Sequence, residues 1–255
     1  MVENSTKPLL QIKDLVKRFG GLVATDHANL VVHAGEVHAL IGPNGAGKTT
    51  LIHQVSGALQ SDSGSLVFDE ADLSRLSMHS RVALGLARSY QITNVYRKFS
   101  VLDNIALAIQ ARSGSSLSFL RAFSRERQVF DQARDVIERV GLADRVSEIA
   151  LNLAHGEQRR LELGLALATN PKLLLLDEPM AGMGPEESEA MVALLEKVRL
   201  DTTLMLVEHD MDAVFRLADR ISVLVYGRVV ATGTPDEIRR DPEVRKAYLG
   251  EEMAA

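Results

Sequence analysis

Apolar residues fall along this chain in two rhythms. One is a set of short, nearly unbroken runs: Val37-His38-Ala39-Leu40-Ile41, Leu173-Leu174-Leu175-Leu176, Thr203-Leu204-Met205-Leu206-Val207 and Ile221-Ser222-Val223-Leu224-Val225. Such runs predict strands of a parallel sheet covered on both faces, since a half-exposed strand would alternate apolar with polar. The other rhythm is helical spacing in the stretches between them, the crossovers that parallel strands need. Pro185–Val198 is one crossover. Gly184 can cap it, Pro185 suits the first turn, and Glu186 and Glu187 complement the helix dipole.

Two regions break this alternation. Leu9–Ile12 and Leu30–His33 read as short strands around the Gly20-Gly21 turn, a small antiparallel sheet attached to the core. From about Ile92 to Gly156 the pattern is helical. Ala106–Ile109 and then Phe130, Ala133, Ile137 and Val140 keep helix spacing, with the polar break Ser113–Ser118 between them. This predicts a helical subdomain inserted into the sheet core. No solenoid-length repeat and no heptad run is present.

Composition narrows the class. A chain of 255 residues, 46% hydrophobic and 25% charged, fits one large α/β domain with a sizeable core. It has no cysteine, which removes disulfides and thiolate metal sites. The net charge of −5 is not the footprint of a protein built to neutralise nucleic-acid phosphates. The N-terminal residues Met1–Pro8 are polar and do not read as a signal peptide. No apolar run approaches the ~20 residues that a membrane span needs. The expectation is a cytoplasmic protein; any work at a membrane needs another chain to supply the span.

The chemistry begins after the first buried run. Gly42-Pro43-Asn44-Gly45-Ala46-Gly47-Lys48-Thr49 is a phosphate-binding loop pattern, preceded by strand Val37–Ile41 and followed by the helical stretch Thr49–Ser56. Glycines let consecutive backbone N–H groups turn toward one anion, and the helix N-terminus adds its positive end. Lys48 reaches the outer phosphates and the Thr49 hydroxyl can ligate Mg²⁺; with Thr50, residues 42–50 form the candidate ATP-binding loop. The complementary half is Leu173–Leu176 ending in Asp177-Glu178-Pro179. Asp177 would hold Mg²⁺, directly or through water, and Glu178 would orient or deprotonate the attacking water.

With these motifs in this order, the sequence resembles the ATPase subunits of ABC transporters over nearly its whole length. The resemblance implies an α/β P-loop NTPase. It would have a RecA-like parallel-sheet core, an N-terminal antiparallel β subdomain and an inserted α-helical subdomain. Residues 1–91 and 157–255 would form the core, and about 92–156 the helical part. It further implies roles. Phe19 would stack on adenine. Gln91, in Arg88-Ser89-Tyr90-Gln91, would sense Mg²⁺ and link to the membrane subunit. Leu153-Ala154-His155-Gly156-Glu157-Gln158 would be the signature loop that caps ATP held by the opposite subunit. His209, in Val207-Glu208-His209-Asp210, would contact the γ-phosphate. The cofactors would be ATP and Mg²⁺.

The sequence departs from the family pattern at two places. Ala154 and His155 stand where Leu-Ser-Gly-Gly-Gln has serine and its first glycine. The serine donor is therefore gone, and His155 either donates in its place or packs at the subunit contact. Gly184 stands where many members carry aspartate, which puts in doubt a cross-subunit hydrogen bond from that position. The Ala-x-Gly-x-Gln signature, the loop Ala181-Gly182-Met183, the stretch Val207–Met211 and the ending Ala247-Tyr248-Leu249-Gly250-Glu251 resemble ATPases of branched-chain amino-acid importers. Urea-type importers and lipopolysaccharide-export ATPases share parts of this set. The implied partners are a second ATPase subunit (a copy or a paralogue), two membrane permease subunits and an extracytoplasmic solute-binding protein, with no nucleic acid. The implied location is the inner face of a bacterial plasma membrane. ABC ATPases of nucleic acid usually carry coiled coils, zinc cysteines or fused ATPase pairs, none of which is seen here. Intact Lys48, Asp177, Glu178 and His209 argue against a non-catalytic nucleotide sensor.

Overall fold

The architecture comes from a computed structural model that describes residues 7–89, 95–112 and 122–245. In chain order its elements are β1 (Pro8–Phe19), β2 (Leu22–His33), β3 (Val37–Ile41), α1 (Lys48–Ser56), β4 (Ser63–Phe68), β5 (Ala71–Asp72), α2 (Met78–Ala83), β6 (Leu86–Ser89) and α3 (Val101–Arg112). They continue with α4 (Ala122–Arg139), α5 (His155–Leu167), β7 (Leu173–Asp177), α6 (Pro185–Val198), β8 (Thr203–Val207), α7 (Met211–Leu217), β9 (Arg220–Val225), β10 (Arg228–Gly233) and α8 (Pro235–Arg240). Among the described residues, the large sheet has six strands in the order β10-β9-β3-β8-β7-β6. All neighbours are parallel except the β9–β10 hairpin.

The unbroken apolar runs are explained by this topology. Every residue of β3, β7 and β8 is buried. Successive side chains of a strand point to opposite faces. Accordingly Leu174 and Leu176 pack with Ile105, Ile137 and Leu161 on one face, while Leu173 and Leu175 pack with Leu51 and Phe68 on the other. The crossover helix α6 spans Pro185–Val198 as expected, with Gly184 as its N-cap and Pro185 in its first turn.

The N-terminal sheet is antiparallel, in the order β2-β1-β4-β5. Its first two strands are longer than the sequence pattern predicts, 12 residues each rather than four. The reason is local. Pairing between β1 and β2 shifts register between Ile12 and Leu15, and Asp14 sits at φ 49°. A bulge there flips the alternation, so Ile12 and Leu15 both point inward and one strand reads as two pieces.

Strands β6 and β7 are parallel neighbours, yet α3, α4 and α5 lie between them in sequence. Ala106, Ile109, Ala133, Ile137 and Val140 are buried against α5, as their helical spacing requires. Helix α5 straddles the expected boundary near residue 156. The expected break at Ser113–Ser118, Gln91 and the ending Ala247–Glu251 lie outside the described residues. Among the described residues no helix is long and apolar enough to cross a membrane.

Candidate nucleotide site

The loop after β3 enters α1 through Gly47, the N-cap, at φ 103°. That left-handed conformation favours glycine, and space demands it too. A Cβ on Gly47 would lie 2.2 Å from the Ala24 carbonyl oxygen, and one on Gly42 would lie 2.0 Å from that of Leu224. The loop is therefore clamped between β2 and β9, with Gly227 N–H donating to the Ala46 carbonyl at 2.8 Å. Pro43 is half-buried; Asn44, Gly45 and Thr49 are exposed, and Thr50 is half-buried. Lys48 is buried and folds back, its Nζ donating to the carbonyls of Gly42 (2.6 Å) and Pro43 (3.1 Å). Burial pulls the Lys48 ammonium below its ordinary range, while Glu178 and Asp177 pull it partly back. A phosphate on this loop would offer the ammonium a stronger, charged acceptor than two carbonyls.

Strand β8 lies between β3 and β7, so the loop and the acids Asp177-Glu178 emerge at the same edge of the sheet, about 10 Å apart across two strand spacings. Asp177 ends β7 and is buried. Arg88 on β6 donates to its Oδ2 at 2.8 Å, with side chains only 6% and 2% exposed. Glu178 follows at φ 51°, a left-handed conformation uncommon for a residue with a Cβ. Its N–H donates to the Val207 carbonyl at 2.8 Å. Its Oε1 lies 2.9 Å from His209 Nε2. A carboxylate only accepts, so the imidazole Nε2 carries the proton in this contact. Thr49 and Asp177 offer oxygen donors, the ligand atoms that a hard cation such as Mg²⁺ takes.

Phe19 ends β1 as a 49% exposed ring, with the Lys17 ammonium 5.7 Å from its centroid. It pairs with Leu22, two residues before the Ala24 carbonyl that abuts Gly47. The ring is open on the surface, on the hairpin whose second strand abuts the phosphate loop.

Among the described residues no hydrogen bond or ion pair joins Ala154–Gln158 to residues 42–50. Ala154 is the N-cap of α5 and is exposed. Glu157 accepts from Ala154 N–H at 3.0 Å and from Arg145 Nε at 2.8 Å. The Arg145 guanidinium, against the cost of burial, holds the Glu157 carboxyl below its usual range. Gln158 donates to the Leu153 carbonyl at 2.9 Å, and Gly156 N–H to Glu187 Oε1 at 3.2 Å. His155 is exposed, its Nε2 only 3.5 Å from the Ala181 carbonyl.

Sequence reasoning gave no role to Arg88 or Glu208, and to Glu187 only that of complementing a helix dipole. Arg88 had a signal: a charge inside the strand pattern Leu86–Ser89 needs a buried partner. Glu208 had another, an acid directly after a fully buried strand. Nothing local marks Glu187, because its contact to Gly156 is long-range.

With that geometry, comparison with known proteins is informative. The chain matches the family model described as ABC transporter over residues 25–181, and one described as branched-chain amino acid ATP-binding cassette transporter over residues 228–254. It is 38% identical over 253 residues to the high-affinity branched-chain amino acid transport ATP-binding protein LivG of Escherichia coli (strain K12), covering 96% of this chain and 99% of LivG. It is 34% identical over 246 residues to the lipopolysaccharide export system ATP-binding protein LptB of the same strain, covering 96% and 98%. The crystal structure of MJ1267, an ATP-binding cassette of an ABC transporter in its ADP conformation, superposes with a TM-score of 0.82 at 28% identity, covering 96% of this chain and 100% of that one. Loop, acids and His209 meet at one end of the sheet in a chain of this likeness: the protein belongs to the ABC transporter family and is one of its ATP-hydrolysing subunits.

Proposed function

We propose that this chain hydrolyses ATP to drive import of branched-chain or related small amino acids through two membrane permease subunits fed by a solute-binding protein. One contact carries the catalytic part: the 2.9 Å pairing of Glu178 with His209 at the sheet edge that also presents the loop of Lys48. In this reading residues 42–50 cradle the phosphates, Phe19 stacks on adenine, and Lys48 leaves its carbonyls for the outer phosphates. Glu178 orients the attacking water and takes its proton, while His209 steadies charge on the γ-phosphoryl group. Thr49 and Asp177, with Gln91 as the third implied ligand, would hold Mg²⁺, which would supply charge neutralisation for the phosphates. Most of the rate gain would come from positioning and electrostatics.

The lack, among the described residues, of any hydrogen bond or ion pair from Ala154–Gln158 to the chain's own phosphate loop fits a two-subunit site, with each signature segment capping ATP on the opposite subunit. A two-fold pair closes that arrangement. Residues of about 92–156, with Gln91, would pass the motion to the permeases on the cytoplasmic face of the membrane. The amino-acid reading is supported by the match over residues 228–254 and by the similarity to LivG. The similarity to LptB favours lipopolysaccharide export as the second reading.

Two measurements test this. Glu178→Gln should keep ATP binding, accumulate a closed pair and lose about 100-fold or more of hydrolysis; near-wild-type turnover would sink the catalytic assignment. In the complex reconstituted with its permeases, a binding protein loaded with leucine or isoleucine should raise ATP hydrolysis. Stimulation by lipopolysaccharide instead would select the export reading.

A further inference from the structure

Three consecutive residues at the end of β8 grip the turn that carries Glu178. The Val207 carbonyl accepts from Glu178 N–H at 2.8 Å. Glu208 Oε1 accepts from Met180 N–H at 2.9 Å. His209 Nε2 meets Glu178 Oε1 at 2.9 Å. The middle contact has no place in the chemistry proposed above, yet it costs the most to build. Glu208 is 4% exposed. Burial pushes its carboxyl up, and the nearby Glu178 pushes it the same way, opposed by backbone N–H bonds. A buried carboxylate is tolerated only when its oxygens are well bonded. Here Oε1 holds Met180 of one loop while Oε2 holds the N–H of His209 at 2.9 Å.

We infer that Glu208 is a positioning residue: its carboxylate ties the loop of His209 to the turn of Glu178, and so fixes the two catalytic groups relative to one another. The inference rests on the assigned roles of Glu178 and His209. It follows from what lies on either side of the clamp. Glu178 sits in a left-handed conformation that its surroundings must enforce, and a free turn would relax it. The Val207 contact fixes the turn before Glu178 and the Met180 contact fixes it after. The clamp also reaches further. Met180 leads into Ala181, whose carbonyl faces His155 of the signature segment, so Glu208 joins the loop of His209 to the segment beside the signature loop.

The test uses the full chain with Glu208→Gln and Glu208→Ala. Glutamine keeps the shape but can accept for only one of the two loops, and its NH₂ faces an N–H donor. Both variants should bind ATP within twofold of the parent. Glu208→Gln should lower kcat about tenfold with KM nearly unchanged, and Glu208→Ala more. Amide hydrogen exchange should rise in residues 179–183 as well as in residues 208–213, although only the second segment carries the substitution. Parent-like kcat in both variants, or faster exchange confined to residues 208–213, would overturn the inference. If Glu208→Ala does not fold, the glutamine variant decides alone. Glu178→Gln run beside them separates the two failures. If it hydrolyses normally, the roles of Glu178 and His209 are wrong. If it is inactive while Glu208→Gln is not, only the clamp is wrong.

Discussion

At the scale of single residues, the signature segment holds the sharpest question. Ala154 brings no hydroxyl, and the side chains of Glu157 and Gln158 are turned to their own chain. That leaves the His155 ring, exposed and held by one long contact to Ala181, as the side-chain donor free to meet a neighbouring phosphate. A contact of 3.5 Å contributes little, so the ring can leave it at small cost. If His155 donates to ATP on the opposite subunit, His155→Ala should slow hydrolysis tenfold or more, since loss of one preorganised donor costs about 100-fold in well-studied sites. ATP affinity of the lone chain should stay unchanged, because its own site holds no signature residue. Unchanged turnover, measured by steady-state phosphate release at saturating ATP, would mean that the ring only packs.

At the scale of elements, helix α5 starts poorly by the usual rules. Its N-cap is alanine, the residue type least able to satisfy the free N–H groups of a first turn. Glu157 repairs half of this by accepting from Ala154 N–H, and Glu187 reaches over from α6 to take Gly156 N–H. The Ala154 backbone already has the extended conformation of an N-cap, φ −61° and ψ 161°. Ala154→Ser should therefore add an acceptor without strain, stabilising the fold by about 1 kcal/mol. In a chain of this size that is about 2–4 °C in Tm, read by thermal melting of the purified chain. A Tm that does not rise would mean the Glu157 and Glu187 contacts already saturate this helix end. These contacts also mark what the sequence could and could not disclose. Strands β3 and β8 and helix α6 were legible residue by residue, because burial on both faces and a Gly-Pro start leave unambiguous patterns. The phosphate loop and the acids Asp177-Glu178 were legible because their spacing is contiguous. The full length of β1 was hidden by a bulge at Asp14. The bonds of Arg88 to Asp177, Glu187 to Gly156 and Glu208 to Met180 were hidden because each joins residues far apart in sequence.

At the scale of the whole molecule, the nucleotide machinery must be coupled to something outside it, and the surface offers a recess beside β6. A cleft of about 190 Å³ lies between α2, β6 and α5, lined by Ser56, Met78, Ala87, Ser89, Leu165 and Thr169 among others. Arg88, the partner of Asp177, lines it as well. A helix of a permease subunit seated there would touch the core and α5 at once, and would feel movement of Asp177 through one ion pair. Leu165 is half-buried in its wall, on a helix whose other side packs into the core. Leu165→Glu would place an unpaired carboxylate where a partner must exclude water, a change that costs several kcal/mol in a closed interface. The lone chain has no such interface, so its ATP affinity and basal hydrolysis should stay within twofold of the parent. Co-purification with the permeases and transport-stimulated hydrolysis should both fall at least tenfold. Parent-like assembly in this variant would place the permease contact elsewhere on the subunit, and a loss of basal hydrolysis in the lone chain would show instead that the cleft wall supports the catalytic edge.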